Sequence, residues 1–307
     1  MKKKINRRQF LKGTLAVAAV SSAGLILPDS AFAQGRVRRN KGTKIKLSLN
    51  AYSFDKPLLA GEMSLEDVID YCANLHFDGL DATGYYFPGY PDVPSDEYIY
   101  SLKKKAFING ITINGTGVRN DFAVPDSESR KSDVQLVKNW IQVAEKLGAT
   151  VIRIFAGRKV PAGYTFDQTL EWMIPDIKEC VEHGRKHGVI VGLQNHNDFA
   201  KTADDTIKIV EAVNSEWFGV MLDVGSLRQS DPYEQIAKLL PYAVSWQVKE
   251  NVWYGEKEVP IDLKKLKAII YKGGYRGFLP IETLGEGDPK VKVKTFLAKV
   301  QYNLQRA

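Results

Sequence analysis

The chain has few of the residues that build covalent or metal-held scaffolds. Only 2 of its 307 residues are cysteine and only 4 are histidine. Two cysteines exclude a disulfide-dense framework and a four-cysteine zinc site. Because Cys72 and Cys180 fall within helical patterns, we expect both to be buried free thiols.

A missing motif and the overall composition further limit the possible fold classes. No Gly-x-Gly-x-x-Gly motif follows the first predicted strand, which argues against a dinucleotide-binding fold. The chain is also not depleted in apolar residues, since 44% are hydrophobic and 26% are charged. This composition excludes a disordered or collagen-like chain and supports a sizeable core.

Residues 1–33 have the pattern of an export signal. A basic head with Arg7-Arg8 precedes an apolar stretch over 13–27, which leads to the triplet Ala31-Phe32-Ala33. The paired arginines before Phe-Leu-Lys resemble a twin-arginine signal, which is read by the twin-arginine export machinery. We therefore expect a periplasmic protein without a stable membrane anchor. An uncleaved amphipathic anchor is the alternative.

The excess of positive charge lies mostly in this signal. The net charge of +7 comes from 43 basic and 36 acidic residues, and residues 1–33 hold six of the bases and one of the acids. The remaining 37 basic and 35 acidic residues nearly balance, which argues against nucleic acid as a partner. We expect the basic segment 34–44 to be a mobile tail.

From residue 45 onwards, β-branched apolar runs alternate with helical patterns eight times. Eight β-α units in a chain of this length predict a single-domain (β/α)8 TIM barrel over 45–307, with a doubly wound open sheet as the alternative. The predicted strands are 45–54, 79–83, 111–117, 150–156, 189–195, 219–224, 244–249 and 277–282. The predicted helices are 64–75, 95–109, 129–147, 166–187, 203–213, 232–240, 263–272 and 289–304.

Polar side chains gather where the later strands end, which is the end of such barrels that carries active sites. Because neighbouring strands lie about 4.8 Å apart, oxygens at matched heights on four strands can surround one ion. A hard or borderline divalent cation suits such a set. The four candidate ligands are Gln194, Asp223, Gln247 and Glu282.

Each candidate also has a structural interpretation. Asp223 could form a buried ion pair with Arg153 or Lys249, and the two glutamines could bond to their neighbours. His196 alone is more often a loop or core histidine than a ligand. Tyr85 and Tyr86 could pack in the core or form an aromatic wall against a sugar.

Four segments together resemble the xylose isomerase-like sugar phosphate isomerase/epimerase superfamily. They are LSLNAYSF in the first strand, LDVGS in the sixth, VKEN in the seventh and YRGFLPIE in the eighth. The resemblance covers residues 45–304 and implies a divalent ion (Mn, Co, Zn or Mg) held by Glu, Asp, His and Glu on strands five to eight. The matching positions are Gln194, Asp223, Gln247 and Glu282, so the first Glu and the His are both replaced by Gln. A further family histidine is Ser226 here.

These departures bear on the reaction. An amide cannot accept a proton at neutral pH, so a two-base epimerisation lacks one base, whereas a one-base reaction survives. We expect Glu282, or Lys249 if burial lowers its pKa, to take a proton next to a metal-polarised carbonyl. His196 or Lys249 would protonate a leaving oxygen. Arg153, Tyr85, Tyr86 and Asn50 are the candidate substrate contacts.

The sequence thus predicts a periplasmic, metal-assisted sugar isomerase or epimerase, with a keto-sugar lyase or hydratase as the other reaction class. Because phosphorylated sugars are mainly cytoplasmic, we expect a free sugar or keto-sugar as substrate. A non-catalytic sugar-binding protein on the same barrel is the main alternative. A barrel endonuclease is disfavoured by the four histidines, and a homo-oligomer is possible.

Overall fold

The computed structural model describes residues 35–305, so the predicted export signal lies outside the described residues. Eight parallel strands close into a barrel in the order β1-β10-β7-β6-β5-β4-β3-β2, which confirms the TIM barrel. A two-stranded antiparallel hairpin, β8-β9, stands apart from the barrel. No helix among the described residues is long and apolar enough to span a membrane.

The barrel strands are short and each is followed by a helix or a turn that leads back to the next strand. The strands are β1 Lys44–Asn50, β2 Gly79–Asp81, β3 Thr112–Gly117, β4 Val151–Ile154, β5 Ile190–Gln194, β6 Phe218–Asp223, β7 Ala243–Lys249, β8 Asn251–Tyr254, β9 Lys257–Pro260 and β10 Arg276–Glu282. The α-helices are α1 Asp55–Leu59, α2 Leu65–Asn74, α3 Asp96–Ile108, α4 Ser127–Leu147, α5 Phe166–His187, α6 Ala203–Val213, α7 Pro232–Leu239, α8 Leu263–Lys272 and α9 Pro289–Val300.

Local capping chemistry sets the helix ends. The Ser64 side chain accepts from the Asp67 backbone N–H while the Asp67 carboxylate accepts from the Ser64 backbone, which is a complete capping box at the start of α2. Helix α4 ends at Gly148, whose φ of 80° is the left-handed conformation that glycine adopts at least cost. Both ends follow from the sequence, as predicted.

The structure differs from the prediction at the first strand and after the seventh. Strand β1 ends at Asn50, four residues before its predicted end. The Asn50 side chain accepts a hydrogen bond from the Tyr52 N–H and so starts a 3₁₀ turn over Ala51–Phe54. The hairpin β8-β9 was not predicted. It immediately follows β7, and only Val252 of its eight strand residues is fully buried, so it has little apolar periodicity.

The basic N-terminal tail is anchored, which corrects the expectation of a mobile segment. The Val37 N–H donates to the Pro241 carbonyl at 2.8 Å. The Arg39 guanidinium lies 4.8 Å from the ring centroid of Tyr275 and donates to the Ala243 carbonyl. The tail therefore crosses the N-terminal ends of β7 and β10, where an aromatic ring and free carbonyls provide partners.

The core of the protein holds both apolar and polar residues. Cys72 and Cys180 are free and fully buried, as predicted, and burial raises the pKa of both thiols. Asp81, at the end of β2, is 2% exposed, and its Oδ2 lacks a hydrogen-bond partner among the described residues. Burial, only partly opposed by Arg153, raises the pKa of Asp81 to about 7.

The tail contacts predict a stability effect. Replacing Arg39 with Ala removes the cation–π contact and the bond to the Ala243 carbonyl, so the free energy of unfolding should fall by about 1 to 2 kcal/mol. Urea denaturation measures the change. Lys41→Ala, at an exposed position of the same tail, is the control and should leave stability unchanged. Equal stability of both variants would contradict the anchored tail.

The Asp81 carboxyl predicts a pH-dependent stability. Its native pKa of about 7 lies above the ordinary value of 3.8, so the native state binds the proton more tightly than the unfolded chain. The stability it contributes is complete below pH 4 and is lost as the pH rises through 7. Asp81→Asn should therefore gain stability relative to the wild type between pH 4.5 and 7.5 in urea titrations. A difference that does not change with pH would contradict the raised pKa.

Candidate functional site

A cavity of ≈ 410 Å³ opens at the C-terminal ends of the barrel strands. This is the end at which the sequence predicted the site. Of the predicted site residues, all except Asp223 and Tyr86 line the cavity. The lining comprises Asn50, Tyr52, Thr83, Tyr85, Arg119, Asn120, Arg153, Phe155, Gly157, Arg158, Gln194, His196, Asp198, Gln247, Lys249, Glu282 and Leu284.

Asp223 lies fully buried beneath this lining and collects hydrogen bonds from several strands. Its Oδ2 accepts from Gln194 Nε2 at 2.7 Å, Ser226 Oγ at 2.8 Å and Lys249 Nζ at 2.8 Å. Its Oδ1 accepts from the Gly225 N–H at 2.9 Å. Burial alone would raise the pKa of Asp223, but the Lys249 ammonium and these donors hold it below its ordinary value.

Lys249 joins the two buried carboxylates. Its Nζ lies 2.8 Å from Asp223 Oδ2 and 3.4 Å from Glu282 Oε1. Register brings the three residues together, because Asp223 is opposite Gln247 and Glu282 is opposite Lys249 in the barrel. Asp223 is paired with Lys249 and not with Arg153, so the buried ion pair that the sequence left open as an alternative to a metal ligand is present.

The charge of Lys249 corrects one expectation. Burial alone would lower its pKa, but the Asp223 and Glu282 carboxylates outweigh burial and raise the pKa above its ordinary value. The amine is therefore protonated at neutral pH. Lys249 is a proton donor and a positive charge in this structure, and the role of general base suggested from the sequence does not fit it.

The pKa of Glu282, at the end of β10, is also raised, but for a carboxyl group this shift favours the neutral form. The residue is 3% exposed, and burial raises its pKa although the Lys249 ammonium partly opposes the shift. A carboxyl group whose pKa moves towards neutrality is a better general base than an exposed glutamate. Glu282 also lines the cavity, where a substrate carbon could reach it.

The donor set does not fit the divalent ion expected from the sequence. Gln194 directs its amide N–H groups, not its oxygen, towards Asp223 Oδ2 and Gln247 Oε1, each at 2.7 Å. The oxygens of Asp223 and Gln247 are thus already acceptors of hydrogen bonds. Among residues 35–305, no group of three or more His, Cys, Asp or Glu side chains is arranged to hold a metal.

The opposite wall of the cavity is aromatic and basic. Arg153, 5% exposed, donates to the Tyr85 hydroxyl and to the Val118 carbonyl, and its guanidinium lies 4.2 Å from the Phe155 ring centroid. Arg119 lies 4.5 Å from the Tyr85 ring centroid. This wall offers aromatic faces and guanidinium donors, which suit a hydroxyl-rich ligand.

His196 lies at the rim between these two walls. Its Nδ1 is 2.7 Å from Asp198 Oδ2, and its ring meets Phe155 edge-on at 5.4 Å between centroids. The carboxylate orients the imidazole, so the other ring nitrogen can exchange a proton with a ligand. The other three histidines, at positions 76, 183 and 187, do not line the cavity.

Of the two remaining predicted substrate contacts, Asn50 lines the cavity and Tyr86 does not. Asn50 lines the cavity, and its Oδ1 accepts from the Tyr52 N–H and the Thr83 hydroxyl. Tyr86 does not reach the cavity wall. Its hydroxyl donates to Asp55 Oδ1 at 2.8 Å, so it supports the 3₁₀ turn region instead.

Sequence reasoning missed part of the lining. Except for Leu284, which follows β10, these residues follow the ends of β1 to β4, where the same positional rule applied, but their mixed chemistry gave no recognisable ligand pattern. Those not singled out from the sequence are Tyr52, Thr83, Arg119, Asn120, Phe155, Gly157, Arg158 and Leu284.

Comparison with known families gives two matches. Residues 69–299 match the family model described as xylose isomerase-like TIM barrel, and residues 4–24 match the twin-arginine translocation pathway signal sequence. The predicted twin-arginine signal is thereby confirmed as a family match. No curated protein sequence matches the chain significantly.

Solved structures share the fold at low sequence identity. D-psicose 3-epimerase from Clostridium cellulolyticum H10 is 19% identical with a TM-score of 0.70, over 84% of this chain and 99% of that one. A 3-keto-D-glucoside 4-epimerase from E. coli is 13% identical with a TM-score of 0.69, over 84% and 100%. A probable 3-DHS dehydratase from Bacillus anthracis is 17% identical with a TM-score of 0.62, over 85% and 99%.

These identities are too low to carry an activity across, and they establish the fold. The family model, by contrast, spans most of the barrel, including all the strand ends that line the cavity except that of β1. The chain belongs to the xylose isomerase-like TIM barrel family.

Proposed function

We propose that the protein is an exported sugar isomerase or epimerase that moves a proton next to a carbonyl group. The observation that carries the proposal is the buried Glu282 carboxylate at the cavity wall, 3.4 Å from the Lys249 ammonium. A base with a raised pKa beside a fixed positive charge is the pair that enolate chemistry needs.

In the proposed reaction, a keto-sugar binds with its carbonyl oxygen towards Lys249. Glu282 takes the proton from the carbon next to the carbonyl, and the electron pair moves onto the carbonyl oxygen to give an enolate. The Lys249 ammonium stabilises that negative charge. The site is enclosed by protein on the side of the two buried carboxylates, so the electrostatic effect is stronger than in water.

The fate of the proton distinguishes the reaction classes. Delivery of a proton to the opposite face of the same carbon gives an epimer and requires a donor other than Glu282 on that face. Return of the proton by Glu282 to the former carbonyl carbon, while the hydroxyl proton of the first carbon passes to the carbonyl oxygen, gives an isomer. Loss of an adjacent hydroxyl, protonated by His196, gives elimination, the reverse of hydration. His196 suits this donor role because Asp198 orients its ring at 2.7 Å.

The wall formed by Arg153, Tyr85 and Asn50 is proposed to hold the sugar. Arg153 has two fixed acceptors, the Tyr85 hydroxyl and the Val118 carbonyl, which keep its guanidinium in place at the cavity. Fixed donors and an aromatic face hold a polyol in one orientation. Export by the twin-arginine pathway suits a periplasmic enzyme acting on a free sugar or keto-sugar, since phosphorylated sugars are mainly cytoplasmic.

A sugar-binding protein without turnover is the second candidate. It is favoured by Gln194 and Gln247, whose amides bond to each other at 2.7 Å and cannot accept a proton. Such a protein would use the same cavity and the same Arg153 wall. It would bind a sugar and leave every carbon-bound proton in place.

Proton exchange separates the two candidates. Incubation of the full chain with D-fructose or D-tagatose in heavy water should replace the proton next to the carbonyl with deuterium, as read by NMR. These two sugars are suitable first probes because structural neighbours were solved with them. Binding seen by calorimetry, without any deuterium incorporation across a panel of keto-sugars, would support the binding protein and overturn the enzyme.

The Glu282 variant tests the proposed base. Glu282→Gln keeps the shape of the side chain but removes its basicity, so we expect kcat to fall by about 10² to 10⁴ with a smaller change in KM. Glu256→Gln, at an exposed position between β8 and β9, is the matched control. Full activity of Glu282→Gln would exclude this residue as the base.

A further inference from the structure

We propose that the Lys249 ammonium supplies the positive charge of this site in place of a divalent cation, and that the chain binds no such ion between β5, β6, β7 and β10. The inference deepens the proposed function, and its catalytic part rests on that function. Its binding part stands on the contacts of the buried cluster Gln194, Asp223, Ser226, Gln247, Lys249 and Glu282, called here the lysine cluster.

The first argument is the position of the ammonium. Lys249 Nζ lies between the only two carboxylates of the lysine cluster, at 2.8 Å from Asp223 Oδ2 and 3.4 Å from Glu282 Oε1. Any ion held by both carboxylates would have to share that space with a positive charge. Repulsion between a divalent ion and an adjacent ammonium, together with steric exclusion, opposes its binding.

The second argument is the direction of the amide groups. Gln194 donates to both Asp223 and Gln247, and Ser226 donates to Asp223. The side-chain oxygens of Asp223 and Gln247 therefore already accept hydrogen bonds from within the cluster. A cation site requires the reverse, with oxygens that converge on an empty centre. Gln194 would have to turn its amide over, which would break two buried hydrogen bonds at once.

The third argument is the room made for the lysine stem. Gly225 lies two residues after Asp223, the last residue of β6, and a Cβ at that position would lie 2.6 Å from Lys249 Cδ. A larger residue would push the stem away from Asp223. The glycine in LDVGS therefore provides the space through which Lys249 reaches the buried carboxylate.

The position of Lys249 also fits a role towards substrate. An ammonium has three N–H donors, and two of them face Asp223 and Glu282. Because Lys249 lines the cavity, the third is left for an oxygen of the ligand. Under the proposed reaction, this donor bonds to the carbonyl oxygen while Glu282 removes the neighbouring proton and later returns it, so no co-reactant is required.

A manganese titration of the exported wild-type protein tests the binding part. Free Mn²⁺ is followed by electron paramagnetic resonance after the protein has been purified without chelator and analysed for metals. We expect no stoichiometric metal as purified and no saturable binding of Mn²⁺ below millimolar concentration. About one equivalent of metal, bound by the wild type and lost in Asp223→Ala, would overturn the proposal.

A variant designed to gain metal binding tests whether Lys249 is the group that excludes the ion. Gln194→Glu combined with Lys249→Met gives three carboxylates and no ammonium, so Mn²⁺ should bind at least tenfold more tightly than to the wild type. Gln194→Glu combined with Lys201→Met, which changes an exposed lysine instead, is the matched control and should not gain binding. Circular dichroism establishes that both variants are folded. A folded Lys249 variant without added affinity would contradict the exclusion by Lys249, and if it fails to fold, the wild-type titration decides alone.

Activity is a separate readout. If the wild type exchanges protons of a keto-sugar, the exchange should be unchanged by EDTA and by added Mn²⁺, and Lys249→Met should reduce it by at least 100-fold. EDTA-sensitive exchange restored by Mn²⁺ would overturn the inference. Absence of any exchange would contradict the proposed function alone, since the titration would still report whether the lysine cluster excludes the ion.

Discussion

The site depends on one interaction, the contact of the Lys249 ammonium with two carboxylates inside the barrel. Removing an ion from water is costly, and an unpaired Asp223 at this depth would be strongly unfavourable. The ammonium stabilises the buried negative charges and fixes the geometry of Asp223 and Glu282, which lie on the two strands that flank β7 in the barrel. It also lowers the pKa of Asp223 against the effect of burial, and it limits the rise that burial causes at Glu282.

The two sides of the cavity consequently differ in their chemistry. The ends of β7 and β10 carry the charged pair that can move a proton and stabilise the charge left behind. The ends of β2 to β4 carry the aromatic and guanidinium surface, in which Arg153 is fixed by Tyr85 and the Val118 carbonyl. A barrel can vary these two halves separately, because each half is built at the ends of different strands. The N-terminal tail lies at the other end of the barrel, so it can stabilise the fold without entering the cavity.

Much of the fold followed from local sequence signals. The predicted bounds of α5, α6 and α8 are those observed, because caps and the apolar periodicity lie within a few residues of each other. Strand ends were less well predicted. The end of β1 depends on a hydrogen bond from the Tyr52 N–H to Asn50, and an extended apolar run gives no sign of it. The tail was expected to be mobile because its partners, Pro241, Ala243 and Tyr275, are distant in the sequence.

By itself, the sequence determined the eightfold β-α alternation, the export signal and the strand ends at which polar residues gather, because each depends on the order of nearby residues. Only the tertiary structure decided what those residues do. The sequence predicted a shell of oxygen ligands around a cation, since oxygen donors at matched heights suit a cation. Three of those predicted ligands were Gln194, Asp223 and Gln247. In the barrel, Gln194 donates with its nitrogen, and the charge of Lys249 is set by carboxylates on two other strands. Hydrogen-bond direction and buried charge depend on neighbours in space, and the order of residues along the chain does not contain them.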